Sequence, residues 1–168
     1  MAETNRGAVL VADKKAEIQE RPLKEMGPRD GIVKIDFCGI CGSDLHALHH
    51  AAEMNALAEA TVSPVFHMDL ERDVVMGHEF CAEIVEFGPG TSQTLKKGDR
   101  ICSLPVVLHQ GGLAAIGYSN DFSGGYGELM LLSEPLLLQV SDDLGSDVAA
   151  LTEPMAVVGT VYYASPEQ

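Results

Sequence analysis

Residues 79–90 read Glu-Phe-Cys-Ala-Glu-Ile-Val-Glu-Phe-Gly-Pro-Gly. Glu79 to Phe87 alternates apolar and polar side chains with a period of two, and Gly88-Pro89-Gly90 stops it. This is the pattern of a half-buried strand running into a turn, because successive strand side chains point to opposite faces. The same pattern recurs on both sides. Ile32 to Phe37 (IVKIDF) alternates after the turn cluster Gly27-Pro28-Arg29-Asp30-Gly31, and Lys96-Lys97-Gly98-Asp99 turns into Arg100 to Leu104. Gly7 to Asp13, Glu128 to Leu132 and Leu136 to Val140 add three more short strands. Many short strands with turns between them predict a sheet closing on itself as a barrel or sandwich.

Two segments read as helices. Ser43 is expected to cap one from Asp44 to about His50, its hydroxyl accepting from free N–H groups of the first turn. Ser146 is expected to cap a second from Asp147, with Pro154 ending or kinking it near Glu153. The last ten or so residues read as a further helix. The expected fold class is mostly β with short helices.

The composition fits one globular domain. The chain has 168 residues, 46% of them hydrophobic and 21% charged, with no repeat or low-complexity tract. Its net charge of −14 would repel phosphates, which excludes nucleic acid and anionic membrane surfaces as partners. The start, Met1 to Arg6, has no apolar signal-peptide core, and the apolar stretch Met155 to Ala164 is far short of the roughly 18 residues a span needs. A soluble cytoplasmic domain is the expectation. Its cysteines, at 38, 41, 81 and 102, are then free thiols or metal ligands rather than disulfides. Cys38-Gly-Ile-Cys41 is half of a CxxC zinc knuckle, and no second CxxC follows.

Three local patterns carry chemistry: Gly39-Ile-Cys41-Gly-Ser43-Asp44-Leu-His46, Gly77-His78-Glu79 and Leu151-Thr-Glu153-Pro154. Singly, each reads as structure: a buried thiol, a hydrogen-bonded imidazole, a solvated carboxylate. Together, Cys41, His78 and Glu153 offer one thiolate, one neutral imidazole and one carboxylate, a donor set suited to zinc with an open fourth position. Their charges neutralise Zn²⁺, and a zinc-bound water has its pKa lowered to about 7.

The Gly-Ile-Cys-Gly-Ser-Asp-x-His segment followed by Gly-His-Glu resembles the N-terminal, GroES-like catalytic domain of the zinc-dependent medium-chain alcohol and polyol dehydrogenases. The resemblance runs from Gly7 to about Ala164 and includes Lys97-Gly98-Asp99-Arg100 and Gly124-Gly-Tyr-Gly-Glu128. It implies a partly open GroES-like β-barrel spanning residues 1–168 and one catalytic zinc on Cys41 and His78. Glu153 would be the third ligand, directly or through water, and its pairing with Pro154 resembles the polyol and threonine dehydrogenase branches. Glu79 would lie beside the metal and exchange onto it. Ser43 and His46 would form the proton relay and touch the nicotinamide cofactor, NAD or NADP. Asp44 would orient His78, as such carboxylates commonly do. The implied substrate is a small alcohol or polyol, and the implied assembly of the full-length enzyme is a homo-oligomer.

The chain departs from that family in three places. The region from Cys102 to Phe122 holds one cysteine where relatives often carry four for a structural zinc, so that metal is expected to be absent. The segment between His46 and His78 is longer than usual, rich in Ala, Glu and Met, and is expected to add a helix over the substrate cleft. Within it, His49, His50 and Glu53 have helical spacing, read as a solvated face in preference to a metal site. Finally, no strand–GxGxxG–helix unit occurs, so the Rossmann nucleotide domain is expected to be missing and the chain to be a fragment, inactive alone. The competing expectation is a non-catalytic GroES-like module for binding or assembly, which would need none of the site residues.

Overall fold

The computed structural model describes residues 4–10, 15–61, 64–92, 94–109 and 112–156. Among these residues there are ten strands: β1 (Thr4–Leu10), β2 (Ala16–Pro22), β3 (Asp30–Cys38), β4 (Val74–Val75), β5 (Phe80–Phe87), β6 (Arg100–Ser103), β7 (Val106–His109), β8 (Gly112–Ala115), β9 (Leu129–Ser133) and β10 (Leu137–Gln139). Helix α1 (Gly42–Ala60) follows β3, and α2 (Ser146–Ala149) follows β10. Five strands form an antiparallel sheet in the order β10-β6-β5-β3-β9, flanked by a three-stranded sheet β2-β1-β4 and the hairpin β7-β8. This is a mostly β, GroES-like architecture of three sheets with several buried clusters, and no single closed ring of strands among the described residues.

The core lies between the sheets. Val33, Ile84, Ile101, Ile116, Met130 and Leu132 are fully buried in one cluster. Glu83 and Glu86 are both exposed across a register shift at Val85, so β5 does not keep a period of two, and Phe80, Cys81 and Ala82 are all buried. The reason is a second layer: on the reverse face Cys81 and Cys102 pack against Val140, Ala149 and Ala150 around α2. Arg100 secures that layer by donating to the carbonyls of Leu144 (2.7 Å) and Ser141 (2.9 Å), just ahead of α2.

Four local expectations are corrected. Ser43 does not cap α1, because the helix begins at Gly42, two residues before the expected Asp44. Cys41 is the cap residue, and Asp44 reaches back to accept its N–H at 3.0 Å. The helix does not stop at His50; it kinks there (φ −132°, ψ 31°) and runs on to Ala60 through strong helix formers. Likewise Gly145, not Ser146, caps α2, and Ser146 is its first residue. Pro154 does not break a helix. The break falls at Ala150 and Leu151, and a new helical turn, residues 152–156, takes Pro154 in its first turn, where no N–H is required of it. The helix expected over the last ten residues lies outside the described residues.

The strands β2, β7 and β8 have no alternation strong enough to be read from sequence, since none has a fully half-buried face. No helix of the described residues is long and apolar enough to cross a membrane.

Candidate metal centre

The register of β3 against β5 brings the first two motifs together. Cys38 pairs with Phe80, and beyond that pair Gly39 N–H donates to the Glu79 carbonyl at 2.7 Å. The chain leaving β3 therefore crosses Glu79 and turns into α1 at Cys41, while His78 and Glu79 enter β5 at the same sheet end. Cys41 Sγ, a His78 ring nitrogen and a Glu79 carboxylate oxygen all lie within 4.8 Å of one another.

Gly77 makes that turn possible. Its φ of +93° is a conformation L side chains rarely adopt, and a Cβ there would meet the Tyr126 ring at 2.7 Å. The 124–127 loop lies against this turn: Gly124, Gly125 and Tyr126 donate N–H groups to the carbonyls of Val75, Gly77 and Met76 at 2.8–3.0 Å. This loop delivers the Tyr126 hydroxyl to Asp44 Oδ2, to which it donates at 2.8 Å.

Asp44 and His78 are both buried, with Asp44 Oδ1 and His78 Nδ1 at 3.3 Å. Among the described residues neither atom has a hydrogen-bond partner beyond this contact. Burial disfavours the charge on His78, but Asp44 beside it, with Glu153 and Glu79 behind, outweighs that and raises its pKa. Burial disfavours the Asp44 carboxylate too, yet His78, the Tyr126 hydroxyl and the Cys41 N–H together hold its pKa below the usual value. An aspartate on Nδ1 leaves Nε2 as the lone-pair nitrogen, and Nε2 is the side that faces Ser43 Oγ, at 3.3 Å. A thiol, an imidazole so oriented and a carboxylate form a donor set that fits zinc, and their charges would cancel its own.

Ser43 is the meeting point of the site. Its hydroxyl donates to Cys41 Sγ at 3.1 Å and accepts from the Tyr118 hydroxyl at 2.8 Å. Glu153 lies outside the Cys41–His78–Glu79 group but lines the same cleft as Ser43, His78 and Tyr118. Burial raises the Glu153 pKa; His78 pulls the other way, and Glu79 and Asp44 add to the rise. His46 is exposed on α1, its ring 4.9 Å from that of His50, and among the described residues no hydrogen bond joins it to Ser43. His50 faces Glu53 at 3.5 Å, with no third ligand gathered there among the described residues. Cys38, the other half of the CxxC pair, is outside the ligand group; burial, then Asp44 and Glu79, push its thiol up to about 12. Cys102 is buried and donates to the Ala149 carbonyl at 3.1 Å, and the region after it folds as the β7–β8 hairpin.

Sequence reading missed Tyr118, which holds Ser43, and gave no role to Tyr126, which holds Asp44. The only signal was the glycine-flanked Tyr126 within Gly124-Gly-Tyr-Gly-Glu128, a spacing that marks close backbone approach.

The chain is 32% identical over 162 residues to (R,R)-butanediol dehydrogenase of Bacillus subtilis (strain 168), covering 86% of this chain and 42% of that protein. The solved structure of 2R,3R-butanediol dehydrogenase from Bacillus subtilis superposes with a TM-score of 0.74 at 28% identity, covering 96% of this chain and 47% of that one. A candidate zinc-binding dehydrogenase of Sinorhizobium meliloti 1021, solved bound to NADP, gives a TM-score of 0.74 at 25% identity, over 97% of this chain and 46% of that one. The chain thus spans less than half the length of each. The alcohol dehydrogenase GroES-like domain family matches residues 27–142, and this chain belongs to that family.

Proposed function

We propose that this chain is the zinc-holding, substrate-binding half of a nicotinamide-dependent alcohol or polyol dehydrogenase. The observation that carries the reading is the gathering of Cys41, His78 and Glu79 within 4.8 Å, beside a cleft that Ser43 and His78 line. Cys41, His78 and one glutamate would hold the ion, whose contribution when bound is Lewis-acid polarisation of the substrate hydroxyl, with NAD or NADP on a separate domain as hydride acceptor.

The chain's own residues then have defined tasks. Asp44 fixes the His78 proton on Nδ1 and keeps Nε2 available as a ligand. Tyr118 occupies one lone pair of Ser43 and leaves the other to accept the substrate's proton, as Ser43 passes its own on toward His46 through water or the bound cofactor. His46, one turn along α1 and exposed, is the exit for that proton to water. Glu79 and Glu153 provide one carboxylate at a time, since both together would leave the site with an extra negative charge. Zinc titration of the chain tests the reading: one tight zinc per chain, lost in Cys41→Ser, supports it. A chain that binds no zinc is a non-catalytic module instead.

A further inference from the structure

The cleft beside the ligand group has a volume of about 510 Å³, within the usual range for small-molecule sites. Its polar lining includes Ser43, His78, Glu153 and the Tyr118 hydroxyl. Much of the apolar lining comes from the long segment between His46 and His78. Met54, Leu57 and Ala58 of α1 and Phe66 after it present apolar side chains, with Thr61 among them, and Pro105 and Ile116 close the wall. Among the described residues no lysine or arginine lines the cleft.

This wall is built rather than draped. The Asn55 side chain donates to the Met68 carbonyl at 2.6 Å and accepts the Met68 N–H at 3.0 Å, clamping the return strand of chain to α1. Phe66 meets Tyr118 edge-on, with ring centroids 6.2 Å apart, and Tyr118 in turn holds Ser43. Leu57 and Phe66 nonetheless remain 65% and 44% exposed, and both line the cleft.

Resting on the dehydrogenase reading, we infer that this site takes an uncharged alcohol, or the matching carbonyl compound, whose second substituent is apolar and about the size of a phenyl ring. The reacting oxygen lies toward Ser43 and His78, and the apolar substituent lies on Leu57 and Phe66. A carboxylate- or phosphate-bearing substituent finds no lysine or arginine in this lining, and the net charge of −14 opposes it further. A small diol leaves the wall uncovered and gains nothing from it.

The test is an NMR titration of the zinc-loaded chain carrying ¹³C-methyl methionine, with the Met54 methyl as reporter. The probes are 1-phenylethanol, 2,3-butanediol and L-threonine. 1-Phenylethanol is expected to shift Met54 and bind at least about tenfold tighter than 2,3-butanediol, as apolar complementarity of this size typically gives. L-Threonine is expected to leave Met54 unmoved. Leu57→Ala and Phe66→Ala should each weaken 1-phenylethanol severalfold with zinc stoichiometry unchanged, because neither side chain belongs to the core or the ligand group. Equal or tighter binding of 2,3-butanediol or L-threonine by zinc-loaded chain overturns the substrate class and leaves the dehydrogenase reading standing. Failure of the chain to take up zinc overturns the dehydrogenase reading itself.

Discussion

Asp44 Oδ1 sits 3.3 Å from His78 Nδ1, and among the described residues the two atoms, both shut off from water, have only each other. The pair joins the start of α1 to the turn before β5, so the helix cap and the metal centre share one carboxylate. Oδ1 serves His78, while Oδ2 takes the Cys41 N–H and the Tyr126 hydroxyl. Asp44→Asn keeps the size but puts an amide where a charge was. Its NH₂ can point at Nδ1 and move the ring proton to Nε2, which then has no lone pair to offer. Zinc affinity is expected to fall about 10–100-fold, read by competition with a chelator. Tyr126→Phe removes one donor and no charge, and should cost less.

The metal count follows from which thiols face the site. Cys41 is in the ligand group, whereas Cys102 is buried between β6 and α2 and Cys38 stays a neutral thiol. Elemental analysis should find about one zinc per chain. Cys41→Ser should remove it, and Cys102→Ser should leave it. Two tight zincs, or loss on changing Cys102, would contradict the site as drawn.

Gly77 gives a stability prediction. An alanine there must hold φ near +93° and push its methyl into the Tyr126 ring, which the Gly124–Gly127 loop keeps in place. The strain alone costs about 1–3 kcal/mol, and the clash adds to it. Gly77→Ala is expected to lower the unfolding midpoint and to weaken zinc binding together, since the displaced turn carries His78. Unchanged unfolding and zinc binding would show that the turn relaxes freely.

Much of this was legible because it is local. The strands β3, β5, β6 and β9 each bury one face or both, so their apolar pattern survives in the sequence. The ligand motifs are contiguous and flank β3 and β5, whose pairing is enough to bring them together. What was hidden depends on distant chain. Tyr118 reaches Ser43 across 75 positions and Tyr126 reaches Asp44 across 82, and nothing near either tyrosine announces its partner. The caps were misplaced because serines next to helix starts look like caps, while Cys41 does the work through a backbone N–H held by Asp44. Pro154 misled for a similar reason. Proline is read as a breaker, but the chain had already broken at Ala150 and restarted.

The remaining prediction decides which glutamate completes the centre. The Glu153-Pro154 pair favours Glu153 by resemblance, but Glu79 is the carboxylate gathered with Cys41 and His78. Glu153 instead stands in the cleft, on the helical turn that follows α2, where its charge is felt by His78. Either carboxylate neutralises the site, so position decides, and position favours Glu79. Glu79→Gln keeps the shape and removes the charge; zinc affinity is expected to fall about tenfold or more. Glu153→Gln should cost less affinity, because the ion keeps its three near ligands and loses only a more distant charge. It should also make His78 easier to deprotonate, since one of the negative charges that raise its pKa is gone. Zinc titrations at one pH rank the two variants directly. If Glu153→Gln proves the more damaging, the third ligand is Glu153, and Glu79 is the carboxylate that waits beside the ion.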